Sequence, residues 1–304
     1  PTVGDLASAG TDEVLALWSG LGYYRRARQM HAAAQQIVEQ GGRLPRRPEE
    51  LEELPGIGPY TAAAVASIAF NARVAAIDGN VERVVSRLLA LATDPRRRPG
   101  RERIHRAARA LLDPEAPGTS NQALMELGAT LCRPRQPRCG ECPLAAGCRA
   151  RASGRPERYP LARRRRAMVR SRRAVVIARR GGRILFFRRP DDSELLAGLW
   201  ELPWADEGDG EKLEAQLARR YGGRWEVGEP EHTVRHAITF RSLEIGIRRG
   251  ALRDGESVGE GREARWLATR ALDRSPLSGL DRKVLSRAGL LPTSVGSGRD
   301  QPPD

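Results

Sequence analysis

Four cysteines, Cys132, Cys139, Cys142 and Cys148, fall inside seventeen residues with the spacing C-x6-C-x2-C-x5-C, and the chain of 304 residues has no others. A disulfide framework normally spreads its cysteines through a small secreted chain. Four in one window of a long chain predict a single inorganic centre that takes all four thiolates. Part of the fold is then a loop held by that centre in place of a hydrophobic core. On spacing alone, an iron–sulfur cluster and a tetrahedral zinc ion both satisfy the pattern.

At this length the chain can build two domains, each with its own core. Basic residues outnumber acidic ones by 52 to 38, a formal charge of +14. The excess predicts a polyanionic partner, nucleic acid first, with a solvated basic surface as the plainer alternative. No apolar run approaches the roughly 20 residues needed to span a bilayer, and nothing at the start reads as a signal peptide. The chain is therefore expected in the cytoplasm, with no membrane partner. It opens on Pro1 and not on methionine, so it is expected to begin mid-protein.

Apolar positions recur at helical spacing over residues 14–112, with breaks at Gly41-Gly42, at Pro55 to Pro59 and at Asp78-Gly79. Residues 61–70 and 80–91 each fit one buried helix, and the alanines of the first predict close packing against a neighbour. Residues 151–173 contain four consecutive arginines, 163–166, and read as a basic linker. Beyond them the composition turns β-branched and aromatic. Residues 174–178 and 183–187 around Gly181-Gly182 predict a hairpin, 211–221 a helix, and 237–248 a strand. The expected layout is a mainly α domain over 1–150, a linker over 151–173, an α+β domain over 174–291, and a disordered tail over 292–304 rich in Pro, Gly, Ser and Asp.

Residues 54–62, Leu-Pro-Gly-Ile-Gly-Pro-Tyr-Thr-Ala, read as the turn of a helix-hairpin-helix element. Gly56 and Gly58 let the backbone approach a phosphate, and the helix that follows offers unsatisfied N–H groups and the positive end of its dipole. Asp78 stands in Ala-Ala-Ile-Asp-Gly-Asn-Val-Glu-Arg-Val, a carboxylate in an apolar stretch that leads into a helix. Its plain reading is a helix N-cap. Its functional reading is a fixed anion facing the positive charge that builds on a sugar when a base–sugar bond breaks.

Hairpin, aspartate and cysteine loop in this order resemble the helix-hairpin-helix DNA glycosylases of the endonuclease III superfamily. Bifunctional members carry a lysine in the hairpin, where this chain has Tyr60, and residues 1–173 contain no lysine. A monofunctional hydrolase is therefore favoured. Tyr60, the Asp78-Gly-Asn-Val segment and residues 20–28, Gly-Leu-Gly-Tyr-Tyr-Arg-Arg-Ala-Arg, resemble the adenine DNA glycosylase (MutY) family. So does Leu-Leu-Ala-Gly-Leu-Trp-Glu-Leu-Pro at 195–203, which looks like the entry of a Nudix-like domain.

The resemblance implies a 4Fe-4S cluster on Cys132, Cys139, Cys142 and Cys148, in place of zinc. It also implies DNA contacts at Gly56, Gly58 and Thr61 and at Arg133, Arg135 and Arg138, with Asp78 catalytic and oriented by hydrogen bonds from Tyr60 and Asn80. The implied reaction is hydrolysis of adenine from mispairs with 8-oxoguanine or guanine in double-stranded DNA, by a monomer. Val234-Arg235-His236 aligns with the family's Phe-Ser-His loop, which makes Arg235 and His236 the expected lesion readers, with arginine in place of serine. Residues 207–220 lack the acidic box of Nudix hydrolases, so no pyrophosphatase activity is expected. The family's general acid, a glutamate in a helix before the segment at 1–10, has no counterpart here, so the chain as written is expected to bind DNA and be nearly inactive. A thymine mismatch glycosylase and a noncatalytic DNA-binding remnant are the alternatives.

Overall fold

The computed structural model describes residues 2–92, 94, 97–161, 167–193, 195–208, 210–238, 240–253 and 262–292. The arginine run at 163–166 and the tail from 293 lie outside them. Nine helices come first among the described residues: α1 (Val3–Ser8), α2 (Thr11–Leu17), α3 (Tyr24–Glu39), α4 (Pro48–Glu52), α5 (Pro59–Phe70), α6 (Gly79–Leu88), α7 (Arg98–Ala110), α8 (Pro117–Thr130) and α9 (Arg149–Ala152). Strands β1 (Val169–Arg180), β2 (Arg183–Arg188), β3 (Trp200–Glu201) and β4 (Trp204–Glu207) follow, then α10 (Leu213–Tyr221), β5 (Trp225–Ile238), β6 (Arg241–Leu252), β7 (Ala264–Ala268) and α11 (Gly279–Arg287). Proline stands in the first turn of α4, α5, α7 and α8, where its missing N–H leaves no hydrogen bond unmade.

The chain divides into two compact units, Ala32–Arg165 and a unit made of Pro1–His31 with Arg166–Asp304. The first is helical. Its core gathers Val81, Val84 and Val85 of α6, Ile104 and Ala108 of α7, and Leu124 and Leu127 of α8, and Cys132, Cys142 and Leu144 of the cysteine loop pack against it. The alanines of α5 do meet a close neighbour, which is α8. A Cβ on Gly118 would fall 2.6 Å from the Ser67 carbonyl oxygen and 2.8 Å from Ile68 Cα, so only glycine allows this approach.

The second unit is built on a seven-stranded mixed sheet, with the central order β3-β2-β1-β6-β5, β4 paired to β1, and β7 to β2. β1 and β2 form the expected hairpin, with Gly181 and Gly182 at φ 52° and 72°. Alternation along the strands splits the apolar residues between the two faces. Val284 and Leu285 of α11 join the core on one face, and Leu217 and Tyr221 of α10 join the core on the other.

Three expectations change. Val169–Arg173 are not linker: they open β1, pair in parallel with β6, and are basic because this end of the strand is largely exposed. Residues 237–248 are not one strand but the end of β5, a turn and most of β6, whose antiparallel pairing continues to Trp225↔Leu252. Residues 1–31, expected with the glycosylase domain, cluster with the C-terminal unit, because Val14, Leu15, Tyr24 and Ala27 bury themselves with Leu199 and the Tyr24 hydroxyl donates to the Leu277 carbonyl, 3.0 Å.

Candidate active site

Asp78 caps α6. Its Oδ1 accepts the backbone N–H of Val81 at 2.7 Å and its Oδ2 accepts the side-chain amide of Asn80 at 2.9 Å. Both readings of this residue hold together. The cap satisfies one of the helix's free N–H groups, and with Asn80 it fixes both carboxylate oxygens in a half-buried position. Tyr60 behaves differently from expectation. Standing in the first turn of α5, its hydroxyl lies 3.2 Å from Met125 Sδ on α8 and does not bond Asp78. Partial burial, and then the negative charge of Asp78, push its pKa above the usual phenol value, so the two groups are electrically coupled at a distance.

A cavity of about 310 Å³ opens beside this turn, lined by Pro59 and Tyr60 of α5, by Ala75, Ile77 and Glu82 on either side of Asp78, and by Arg101, Ile104 and His105 of α7. Burial, and then Arg101, pull His105 below the usual histidine range.

Two residues that sequence reading passes over carry the turn into the cysteine loop. Arg83 donates to Asn80 Oδ1 at 2.9 Å, to the Gly128 carbonyl at 2.8 Å and to the Cys132 carbonyl at 2.8 Å. Burial, and then the neighbouring Arg87, lower its pKa. Arg87 is 2% exposed and donates to the carbonyls of Cys132, Arg133, Pro134 and Tyr159 and, at 3.3 Å, to Cys132 Sγ. The one signal of this in the sequence is an Arg-x3-Arg pair, one helical turn apart, on a helix whose other buried positions are mostly valine.

The four cysteines form no disulfide, and all are partly buried. Burial, and then the charges of Cys148, Cys132 and Cys142, raise the Cys139 pKa. Among the described residues, no group of three or more His, Cys, Asp or Glu is set at the spacing of a bound metal ion. The donor set, four thiols beside a buried guanidinium that offsets thiolate charge, fits a sulfur-ligated centre. Arg133, Arg135 and Arg138 are exposed around the loop, and Arg138 pairs with Glu141 at 3.3 Å.

In the hairpin, Gly56 has φ 77° and needs to be glycine, whereas Gly58 is extended at φ −94° and a Cβ there would meet nothing within 4 Å. Arg235 and His236 lie in the interior of β5, opposite Glu244 and Leu243, and not in a loop. Adjacent residues of a regular strand point to opposite faces, and here Arg235 is exposed and His236 half-buried.

Residues 1–114 match the family of HhH-GPD superfamily base excision DNA repair proteins, and residues 173–287 match the NUDIX domain. The human adenine DNA glycosylase is 34% identical over 99% of this chain and 65% of its own length. The chain is thus similar over nearly its whole length to an adenine DNA glycosylase. The Mycolicibacterium smegmatis adenine DNA glycosylase is 47% identical over 51% of this chain and 53% of its own length, and the Rattus norvegicus one 49% identical over 49% and 30%. The chain thus spans less than two thirds of the length of each of these adenine DNA glycosylases.

Proposed function

We propose that this chain carries the chemistry of a monofunctional glycosylase that hydrolyses adenine from mispairs with 8-oxoguanine or guanine in double-stranded DNA. The observation that carries the reading is the Asp78 carboxylate, held at both oxygens in the residue that follows Ile77, which lines a cavity with Ile104 and Tyr60. A base that leaves the duplex stack costs a few kcal/mol to extrude, less where it is already mispaired. As its bond to the sugar breaks, positive charge grows on the sugar, and a preorganised carboxylate stabilises it without having to reorient. With Tyr60 in the hairpin and no lysine before Lys212, no amine of residues 1–173 is available to form a Schiff base, so water is the acceptor of the sugar.

Cys132, Cys139, Cys142 and Cys148 would hold a 4Fe-4S cluster, which when bound supplies a cross-link to the loop and no step of hydrolysis. Arg87 orders the carbonyls of Cys132 and of Arg133, the residue after it, for the cluster. The hairpin turn at Gly56 and Gly58, the uncapped N-terminus of α5 at Thr61, and the exposed Arg133, Arg135 and Arg138 would grip phosphates without reading sequence. The protein acts as a monomer in the cytoplasm.

The test is single-turnover adenine release from an 8-oxoguanine:adenine duplex by the protein encoded by the whole reading frame. Asp78→Asn is expected to slow release by about 100-fold or more while leaving duplex affinity nearly unchanged. Release of thymine from a guanine:thymine duplex in place of adenine, or a rate indifferent to Asp78→Asn, overturns the assignment.

A further inference from the structure

The eight residues before α6, 71–78, are neither helix nor strand, yet they deliver Asp78 to the site. A stretch of this kind leaves its backbone donors and acceptors without a ladder, and each one that is buried needs a partner. Two bonds are local: the Ala72 N–H reaches the Ala66 carbonyl at 2.9 Å, and the Val74 N–H reaches the Ala72 carbonyl at 2.8 Å. Nearer Asp78 the partner is a side chain. Asn121, in the second turn of α8 and 1% exposed, accepts the Ala76 N–H on Oδ1 at 3.0 Å and donates from Nδ2 to the Val74 carbonyl at 2.9 Å. It thus takes the N–H of one residue and the C=O of the residue two before it, as a neighbouring strand would. Its second amide hydrogen goes to Ser67 Oγ at 2.9 Å, and that hydroxyl donates to the Ala64 carbonyl at 3.2 Å. One acceptor and two donors are what a planar primary amide offers, and all three are used.

Two turns further along the same helix, Gly128 lies against the other side of the Asp78 turn, where a Cβ would fall 2.5 Å from Asn80 Cβ. α8 therefore holds the Asp78 turn from both ends, by an amide before it and a bare backbone after it.

We propose that Asn121 is a positioning residue for Asp78: a one-residue substitute for a β-strand that sets where the carboxylate stands, without touching substrate. The inference rests on the reading of Asp78 as the anion that meets sugar charge. A purely structural role lowers the melting temperature and weakens all duplexes alike. Loss of a positioning group specifically weakens the preference for a positively charged sugar.

The experiment therefore compares, for the protein of the whole reading frame, affinity for duplexes carrying a cationic azasugar or a neutral tetrahydrofuran at the adenine position. Wild type is expected to favour the cationic site, and Asp78→Asn to lose that preference. Asn121→Ala is expected to cut it by about tenfold while affinity for the neutral site stays the same. Ser67→Ala, which removes one of the three partners and is the smaller change, is expected to fold, to cut it by about threefold, and to carry the test if Asn121→Ala does not fold. Faster amide exchange at Ala76 should accompany both losses. A preference kept in folded Asn121→Ala and in Ser67→Ala overturns the inference and leaves the assignment of Asp78 standing. No preference in wild type overturns both.

Discussion

Asp281 is a buried carboxylate whose charge state bears on stability. Ser278 caps α11 by accepting the Asp281 N–H at 3.1 Å and donates its hydroxyl to Asp281 Oδ2 at 2.5 Å, and Asp281 Oδ1 accepts the Leu202 N–H at 3.1 Å. Burial pushes its pKa from 3.8 up to about 7, against the two hydrogen bonds that pull it down. The folded form then holds a proton that the unfolded chain has released between about 3.8 and about 7. Stability of the unit is greatest at the acid side of that window and falls as pH rises through it. Asp281→Asn keeps an acceptor for Leu202 and carries no charge. Its melting temperature should change less between pH 5 and pH 8 than that of wild type, and a slope equal to wild type would assign the pH dependence to other groups. The site residues divide at the same scale. Asp78 and the cysteines could be picked out in the sequence, because a carboxylate in an apolar run and four thiols in one window are unusual. Arg83 and Arg87 could not, because arginine on a helix normally means solvent, and only the packed structure shows their guanidinium groups turned onto loop carbonyls.

Among elements, the hairpin separates two reasons for a glycine. Gly56 has the positive φ that disfavours any side chain, so a substitution there strains the turn itself. Gly58 has neither a special φ nor a neighbour, and within the chain nothing requires it to be glycine. Its requirement would come from outside, from a phosphate meeting the N-terminus of α5. Gly58→Ala is therefore expected to shift stability by less than about 0.5 kcal/mol while weakening duplex binding severalfold. Thermal melts and binding isotherms on the same preparation check this, and unchanged affinity would remove Gly58 from the DNA surface. Helical pattern located α5 and α6 to within two or three residues. It failed at the boundary between β5 and β6, because alternation continues straight through 237–248 and no Gly-Gly or Asn-Gly signal marks the break.

For the molecule as a whole, charge decides how it meets a polyanion. Counter-ions released from DNA make affinity fall with salt, at about 0.9 logarithmic units per phosphate neutralised. Arg133 and Arg135 are exposed beside the cysteine loop, whereas Arg138 already faces Glu141. Replacing Arg133 and Arg135 together by alanine should reduce the slope of log affinity against log salt by about 2, and Arg138→Ala should change it less. Equal slopes in wild type and the double variant would place the DNA elsewhere.

Local composition and spacing by themselves determined that a helical half precedes an α+β half, that four thiols share one loop, and that Asp78 begins a helix, because period, turn residues and caps act over a few neighbours. Only the tertiary structure decided that residues 1–31 bury their apolar face with Leu199, that Tyr60 turns to Met125 and that Asn121 takes the place of a strand beside Asp78. Those choices are made by groups far apart in the chain competing for the same donors, acceptors and apolar surface, and no local pattern records which of them wins.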